Sequence, residues 1–194
     1  MKKSILSLTA VAVLGFFMTS CNPDVLITGT ENIVVDLGAT DADVLEGVEA
    51  SNGKEVTVSG IDYDKAGEQT AIFEAGEDIK EDVVKIKTDK LTGEYECTIG
   101  SDLFDSKVTQ SATVFNKILI DGYLESGKLE AICNGDVITL DEINLVDEDD
   151  VKGTLTGEGT FEKEGDVYQV KSITVVITWE DGEETTDEVN FKKL

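Results

Sequence analysis

Along most of this chain apolar residues recur at every second position, in short runs bounded by Gly, Asn and Asp. Glu55-Val56-Thr57-Val58-Ser59 alternates without a break, and Val25-Leu26-Ile27-Thr28, Ile33-Val34-Val35-Asp36-Leu37, Gln69-Thr70-Ala71-Ile72-Phe73-Glu74 and Val83-Val84-Lys85-Ile86-Lys87 are β-rich runs of the same kind. Alternation of period two sends successive side chains to opposite faces, which is the signature of half-buried strands. No stretch of useful length carries the helical period, so the pattern predicts an all-β chain. A first unit ends near Thr88, with Asn52-Gly53 as a tight turn of hairpin type.

From residue 89 onward the spacing of turn signals predicts a meander. Leu91-Thr92-Gly93-Glu94-Tyr95-Glu96-Cys97 opens it, and Glu125-Ser126-Gly127, Asn134-Gly135, Glu164-Gly165 and Asp181-Gly182 each separate two β-rich runs. Asn-Gly and Asp-Gly in two-residue loops favour the left-handed backbone that tight hairpins need, so roughly eight antiparallel strands are expected. Two details predict that this sheet curls. Gly157 and Gly159 share a face with Leu155 and Phe161, and glycine within a strand marks a bend or a close approach. The apolar phase then slips between Val170 and Ile173, as a bulge at Lys171-Ser172 would produce. A curved barrel or a sandwich satisfies both.

The first residues break the pattern. Lys2 and Lys3 precede an apolar run from Ile5 to Met18, and Thr19-Ser20 places small side chains before Cys21. A basic start and a short apolar run are the layout of a secretory signal, and the run is too short to span a bilayer. With a cysteine at the cut point, the segment resembles the signal of Gram-negative bacterial lipoproteins, with Met18 where such signals usually carry Leu. The resemblance implies removal of residues 1–20, lipidation of Cys21, a tether over 21–23, and an outer-membrane location on the cell surface or the periplasmic face.

The first β unit carries a second resemblance. Val44-Leu45-Glu46-Gly47-Val48-Glu49-Ala50, Asn52-Gly53-Lys54-Glu55-Val56-Thr57-Val58 and Gly60-Ile61-Asp62-Tyr63-Asp64-Lys65-Ala66-Gly67 are similar to bacterial Ig-like domains of the type also found in a pesticidal crystal protein. The likeness covers residues 24–88 and departs at Glu68-Gln69-Thr70. It implies an Ig-like β-sandwich serving as a spacer or scaffold, followed by a separate unit over 89–194 faintly similar in shape to lipocalin-like lipoprotein domains.

Charge narrows the choice of partners. The formal net charge of −25 becomes −27 once Lys2 and Lys3 leave with the signal, and the sequence contains neither arginine nor histidine. Nucleic-acid binding requires clustered cations, so no nucleic-acid partner is expected. Contact with an anionic membrane has to come through the lipid. Without imidazole there is no Ser-His-Asp or Cys-His pair, and the chain reads as a non-enzyme with no cofactor and no metal. Asp62-Tyr63-Asp64 begins like a calcium loop but has Phe73 where the bidentate glutamate belongs, so it reads as a turn. Asp41 with Asp43, and the run Asp147-Glu148-Asp149-Asp150, read as solvated loops.

Few residues remain to carry binding. With Cys21 assigned to lipid, Cys97 and Cys133 are left either to form a disulfide or to remain as buried thiols. Among the aromatic side chains suited to stacking on a sugar ring (Tyr123, Phe161, Tyr168 and Trp179), Trp179 stands out, at a strand end beside a turn and next to acids. It also continues the apolar face of Ile173, Val175 and Ile177. The expected function is therefore a lipid-anchored binding or accessory protein, with glycans or other envelope proteins as partners. A periplasm-facing carrier of a small apolar ligand and an adhesive subunit are the alternatives.

Overall fold

The computed structural model describes residues 25–124, 127–147 and 150–194; Cys21, its tether and the signal lie outside them. The chain is all-β, as its alternation predicts. The first unit contains β1 (Ile27–Thr28), β2 (Ile33–Asp36), one helical turn α1 (Asp41–Val44), β3 (Glu49–Ala50), β4 (Thr57–Ser59), β5 (Gly67–Ala75) and β6 (Asp78–Lys87). Strands β2-β6-β5-β4 form one sheet, with β2 parallel to β6, while β1 pairs with β3. Ile27 of the small pair and Val58, Ala71, Phe73 and Val84 of the larger sheet are buried in one core. The turn at Asn52-Gly53 forms, with Gly53 at φ 69°. It is not a hairpin, because β3 pairs with β1 and β4 with β5. Local turn chemistry bent the chain there, but burial elsewhere chose the partners.

The second unit comprises β7 (Gly93–Ile99), β8 (Asp102–Gln110), β9 (Lys117–Asp121), β10 (Lys128–Asn134), β11 (Val137–Leu140), β12 (Ile143–Val146), β13 (Lys152–Glu164), β14 (Val167–Trp179) and β15 (Glu184–Lys193). Each strand pairs antiparallel with the next from β7 to β11 and from β12 to β15. Two further pairings, β15 with β7 and β11 with β13, close an eight-stranded barrel. The choice between barrel and sandwich is thus resolved as barrel. β12 lies outside the ring, pairing with the first residues of β13 before β11 takes over the same edge.

The curvature comes from the positions that the glycine and phase arguments identified. Thr160 faces Ser172 and Phe161 faces Val170, so Lys171 is the extra residue on β14. A Cβ on Gly157 would stand 2.5 Å from the Thr174 carbonyl oxygen, so no larger residue lets β13 approach β14 this closely.

The two ends of the barrel differ. At one end a 3-10 turn (Asp89–Leu91) plugs the ring: Leu91 is fully buried, and the Tyr95 hydroxyl donates to its carbonyl at 2.7 Å. The first unit packs on this same end. Ala66 and Gly135 exchange backbone hydrogen bonds of 2.8 Å, Lys163 Nζ lies 2.8 Å from Asp64 Oδ1, and the Tyr168 hydroxyl donates to that oxygen as well. Gly38 leaves room for Tyr168, and Gly67 for Asn134. The chain enters the first unit at the other end of the long β5–β6 hairpin, where Lys80 Nζ donates to the Ile27 carbonyl at 3.3 Å. Seven residues of extended strand, about 23 Å, separate Lys80 from Lys87. Ile27, the first unit, the plugged end and the open end therefore follow one another in that order.

Candidate binding site at the open end of the barrel

Strand alternation decides what lines the barrel. From β7, β9, β13 and β14, the inward residues Tyr95, Ile118, Phe161, Tyr168, Val170 and Ile173 are all at most 4 % exposed. That half of the ring is filled with side chains. Toward the opposite end Leu155, across from Ile177, is still buried, but Ile99, Phe104, Ile177, Trp179 and Asp187 are only half-buried, as is Tyr123 just after β9.

Trp179 ends β14 as the last residue of the Ile173-Val175-Ile177 face, as its phase predicts, and it is half-buried. Its cross-strand partner is Gly153. A Cβ at Gly153 would lie 2.6 Å from Trp179 Cε3, so the glycine gives the indole a place to rest. A backbone hydrogen bond from Trp179 N–H to the Glu183 carbonyl, 2.8 Å, anchors the strand end across the Asp181-Gly182 turn. A crevice of about 340 Å³ opens at this strand end, lined by Trp179 and Gly153 together with Asn144, Lys152, Thr154, Thr178 and Glu180. An aromatic face beside amide, hydroxyl, ammonium and carboxylate groups offers both the stacking surface and the hydrogen-bond partners that a sugar ring uses.

The other aromatic candidates are differently placed. Phe161 and Tyr168 are buried in the packed half and cannot receive a ligand. Tyr123 stands at the mouth, where its hydroxyl donates to Asp187 Oδ2 at 3.2 Å and its ring meets Phe104 edge-on at 6.4 Å. Burial, reinforced by the Asp187 carboxylate, pushes the Tyr123 hydroxyl up to about 12, so it remains a donor at neutral pH. Sequence reasoning passed over Asp187. The signal was there in Thr185, Asp187, Val189 and Phe191, an alternation that puts one carboxylate on an inward face.

A larger concavity, about 850 Å³, lies at the plugged end between Lys90, Glu164, Tyr168, Gln169 and Lys193. Its most enclosed cation is already occupied: Lys193 Nζ donates to the carbonyls of Lys90 at 2.7 Å and Tyr168 at 3.1 Å. Burial lowers the pKa of that ammonium. These bonds tie the C-terminal strand to the plug, so size alone does not mark the site.

Cys97 and Cys133 are both free and fully buried, so the disulfide open from sequence is not formed. They sit on β7 and β10, three strand spacings apart, or about 14 Å along the wall, far beyond what a disulfide bridges. Burial pushes their thiols up to about 11 and about 12. The carboxylates of the calcium-like segment are engaged elsewhere: Asp62 Oδ1 accepts the Asp64 N–H, and Asp64 accepts Lys163 and Tyr168. Asp43 caps α1 by accepting from the Thr40 N–H and hydroxyl at 2.8 Å, and Asp41 accepts the Tyr63 hydroxyl. Asp147 Oδ1 accepts the Val151 N–H. Among the described residues no group of three or more acids or cysteines could hold a metal.

Comparison with family models, with curated proteins and with solved structures returns no match for this chain. The functional reading therefore rests on the geometry of the open end.

Proposed function

We propose that the chain is a lipid-anchored, non-catalytic envelope protein that captures glycan at the open end of its barrel, outside or just beneath the outer membrane. The observation that carries this reading is the crevice at the end of β14, lined by Trp179, whose indole rests on Gly153, and by Asn144, Thr154, Thr178 and Glu180. Its position adds support. The first unit packs against the plugged end and receives the chain from the tether at its far side, so an anchor at Cys21 presents the Trp179 end outward. The packed lower half of the barrel lends less support to a carrier of an apolar ligand, which needs a lumen to enclose it.

The test is a glycan panel probed with residues 22–194 and with the Trp179→Ala variant. Binding by the parent chain that drops at least tenfold in the variant is expected, since one stacked ring is worth about 1–1.5 kcal/mol beyond its buried area. Binding that is absent across the panel, or unchanged in the variant, overturns the reading. Protease digestion on intact against lysed cells then reports which side of the membrane the mouth faces.

A further inference from the structure

A second feature of the open end lies on the inner wall, apart from the Trp179 crevice. On β15 the inward face runs Asp187, Val189, Phe191, and both apolar members are buried. Asp187 stands opposite the buried Val175 and is itself half-buried. The half-buried apolar and aromatic residues at this mouth are Ile99 at the end of β7, Phe104 on β8, Ile177 on β14 and Tyr123 just after β9. Its recorded partner among the described residues is the Tyr123 hydroxyl at 3.2 Å, and no lysine pairs with it there. Ion pairing is the habit of this molecule: Lys80, Lys85, Lys87, Lys107, Lys117 and Lys163 all reach carboxylates.

A carboxylate set among apolar groups loses hydration, and a single neutral hydroxyl returns only part of it. A cation entering the mouth would supply the rest. The aromatic rings of Phe104 and Tyr123, already edge to face, add electrostatic attraction for an ammonium on their π faces. The apolar rim then receives whatever body the ammonium is attached to. A net charge of −25 draws cations toward the molecule and repels anions.

We infer that the mouth of the barrel is a binding site for a protonated amine carried on an apolar body, with Asp187 as the counter-ion and Tyr123, Phe104 and Ile177 as the walls. The ammonium donates to the Asp187 carboxylate, and the apolar portion covers the half-buried rim. This site is independent of the sugar-stacking crevice, and it fails or stands without reference to it.

The probes are octylammonium, octanol and octanoate, which share one chain and differ in the charge of the head. Titrations of residues 22–194 at neutral pH, read by calorimetry, are expected to rank octylammonium at least tenfold tighter than octanol, with octanoate weakest. Asp187→Asn keeps an acceptor for Tyr123 and removes the charge. It is expected to bring octylammonium down to the affinity of octanol and leave octanol unchanged. An amine preference that survives in Asp187→Asn assigns the effect to the general negative field and overturns the proposal, as do equal affinities for octylammonium and octanol, or no binding of either. Should Asp187→Asn fail to fold, Tyr123→Phe decides: it frees the carboxylate from its neutral donor and is expected to tighten octylammonium two- to fivefold, and weaker or unchanged binding counts against the site.

Discussion

The two ends of the barrel are made from the same eight strands and the same alternation, yet one is filled and the other is not. At the plugged end Tyr95, Leu91, Phe161, Tyr168 and Val170 are buried, the polar atoms of Tyr95 and Lys193 are matched to carbonyls, and the first unit is packed against the outside. At the open end Phe104, Tyr123, Ile177 and Trp179 are half-buried, and among the described residues the half-buried Asp187 has the Tyr123 hydroxyl as its partner. The difference lies in what closes each end. One 3-10 turn and one neighbouring unit cover the first, whereas Tyr123 just after β9 and the tight turn at Asp181-Gly182 border the second. Stability is concentrated where the ring is covered, and the chemistry that can meet a ligand is concentrated where it is not.

The sharpest way to break that comparison is through thiol reactivity. Cys97 and Cys133 lie within the filled part and are held protonated, so at pH 8 a thiol reagent is expected to modify them more than about a thousandfold slower than in unfolded chain. A cysteine placed at the mouth by Ile177→Cys should react at once. Fast reaction of the native cysteines would show that the packed half opens readily, and a shift in mass on reduction would restore the disulfide.

Truncation is the next largest effect. Tyr95→Ala removes a fully buried ring that meets Phe191 at 5.9 Å and a hydroxyl bonded to Leu91, and is expected to cost about 3–5 kcal/mol in urea unfolding. Phe104→Ala at the mouth should cost less than half as much. Equal losses would mean that the two ends are equally packed.

A smaller pair of substitutions separates backbone from side-chain limits. Gly157→Ala drives a methyl against the Thr174 carbonyl, which cannot yield without parting β13 from β14, and should cost about 2–3 kcal/mol. Gly153→Ala meets only the Trp179 ring, which can swing away. It should cost under about 1 kcal/mol while shifting the fluorescence of the chain's single tryptophan.

The smallest effect belongs to the junction. Hydrogen bonds from Lys163 and then Tyr168 hold the Asp64 carboxyl below the usual carboxylate range. A carboxyl whose folded pKa is depressed contributes fully above its unfolded value, about 3.9, and loses that contribution as pH falls through the folded value. Asp64 is more than half exposed, so salt screens the pair and the barrel's melting temperature should not move. Below pH 4, the protection of the Ala66 and Gly135 amides, taken relative to the intrinsic exchange rate at each pH, should fall, and Asp64→Asn should show the same loss of protection at neutral pH.

Much of this molecule was legible in its residues. Alternation gave the strands, the Asn134-Gly135, Glu164-Gly165 and Asp181-Gly182 turns gave their antiparallel order, and the phase slip at Lys171 gave the bulge. These are local signals, set by the backbone geometry of one or two residues and by which side of a strand must be apolar. Trp179 was legible for the same reason, as the last member of an inward face beside a turn.

Only the tertiary structure decided the rest, because it depends on which distant segments share an edge. Nothing in Asn52-Gly53 says that β3 and β4 will each choose another partner. Nothing in β11 or β13 alone says that they will meet and close the ring, and nothing in the two cysteine segments alone says that β8 and β9 will stand between Cys97 and Cys133. The clasp of Asp64 with Lys163 and Tyr168 spans about a hundred residues of sequence and exists only once the first unit covers the plug. Asp187 and Tyr123 likewise become neighbours only across a closed mouth. Period-two patterning fixes which face a side chain takes, and ring closure fixes which side chains that face will meet.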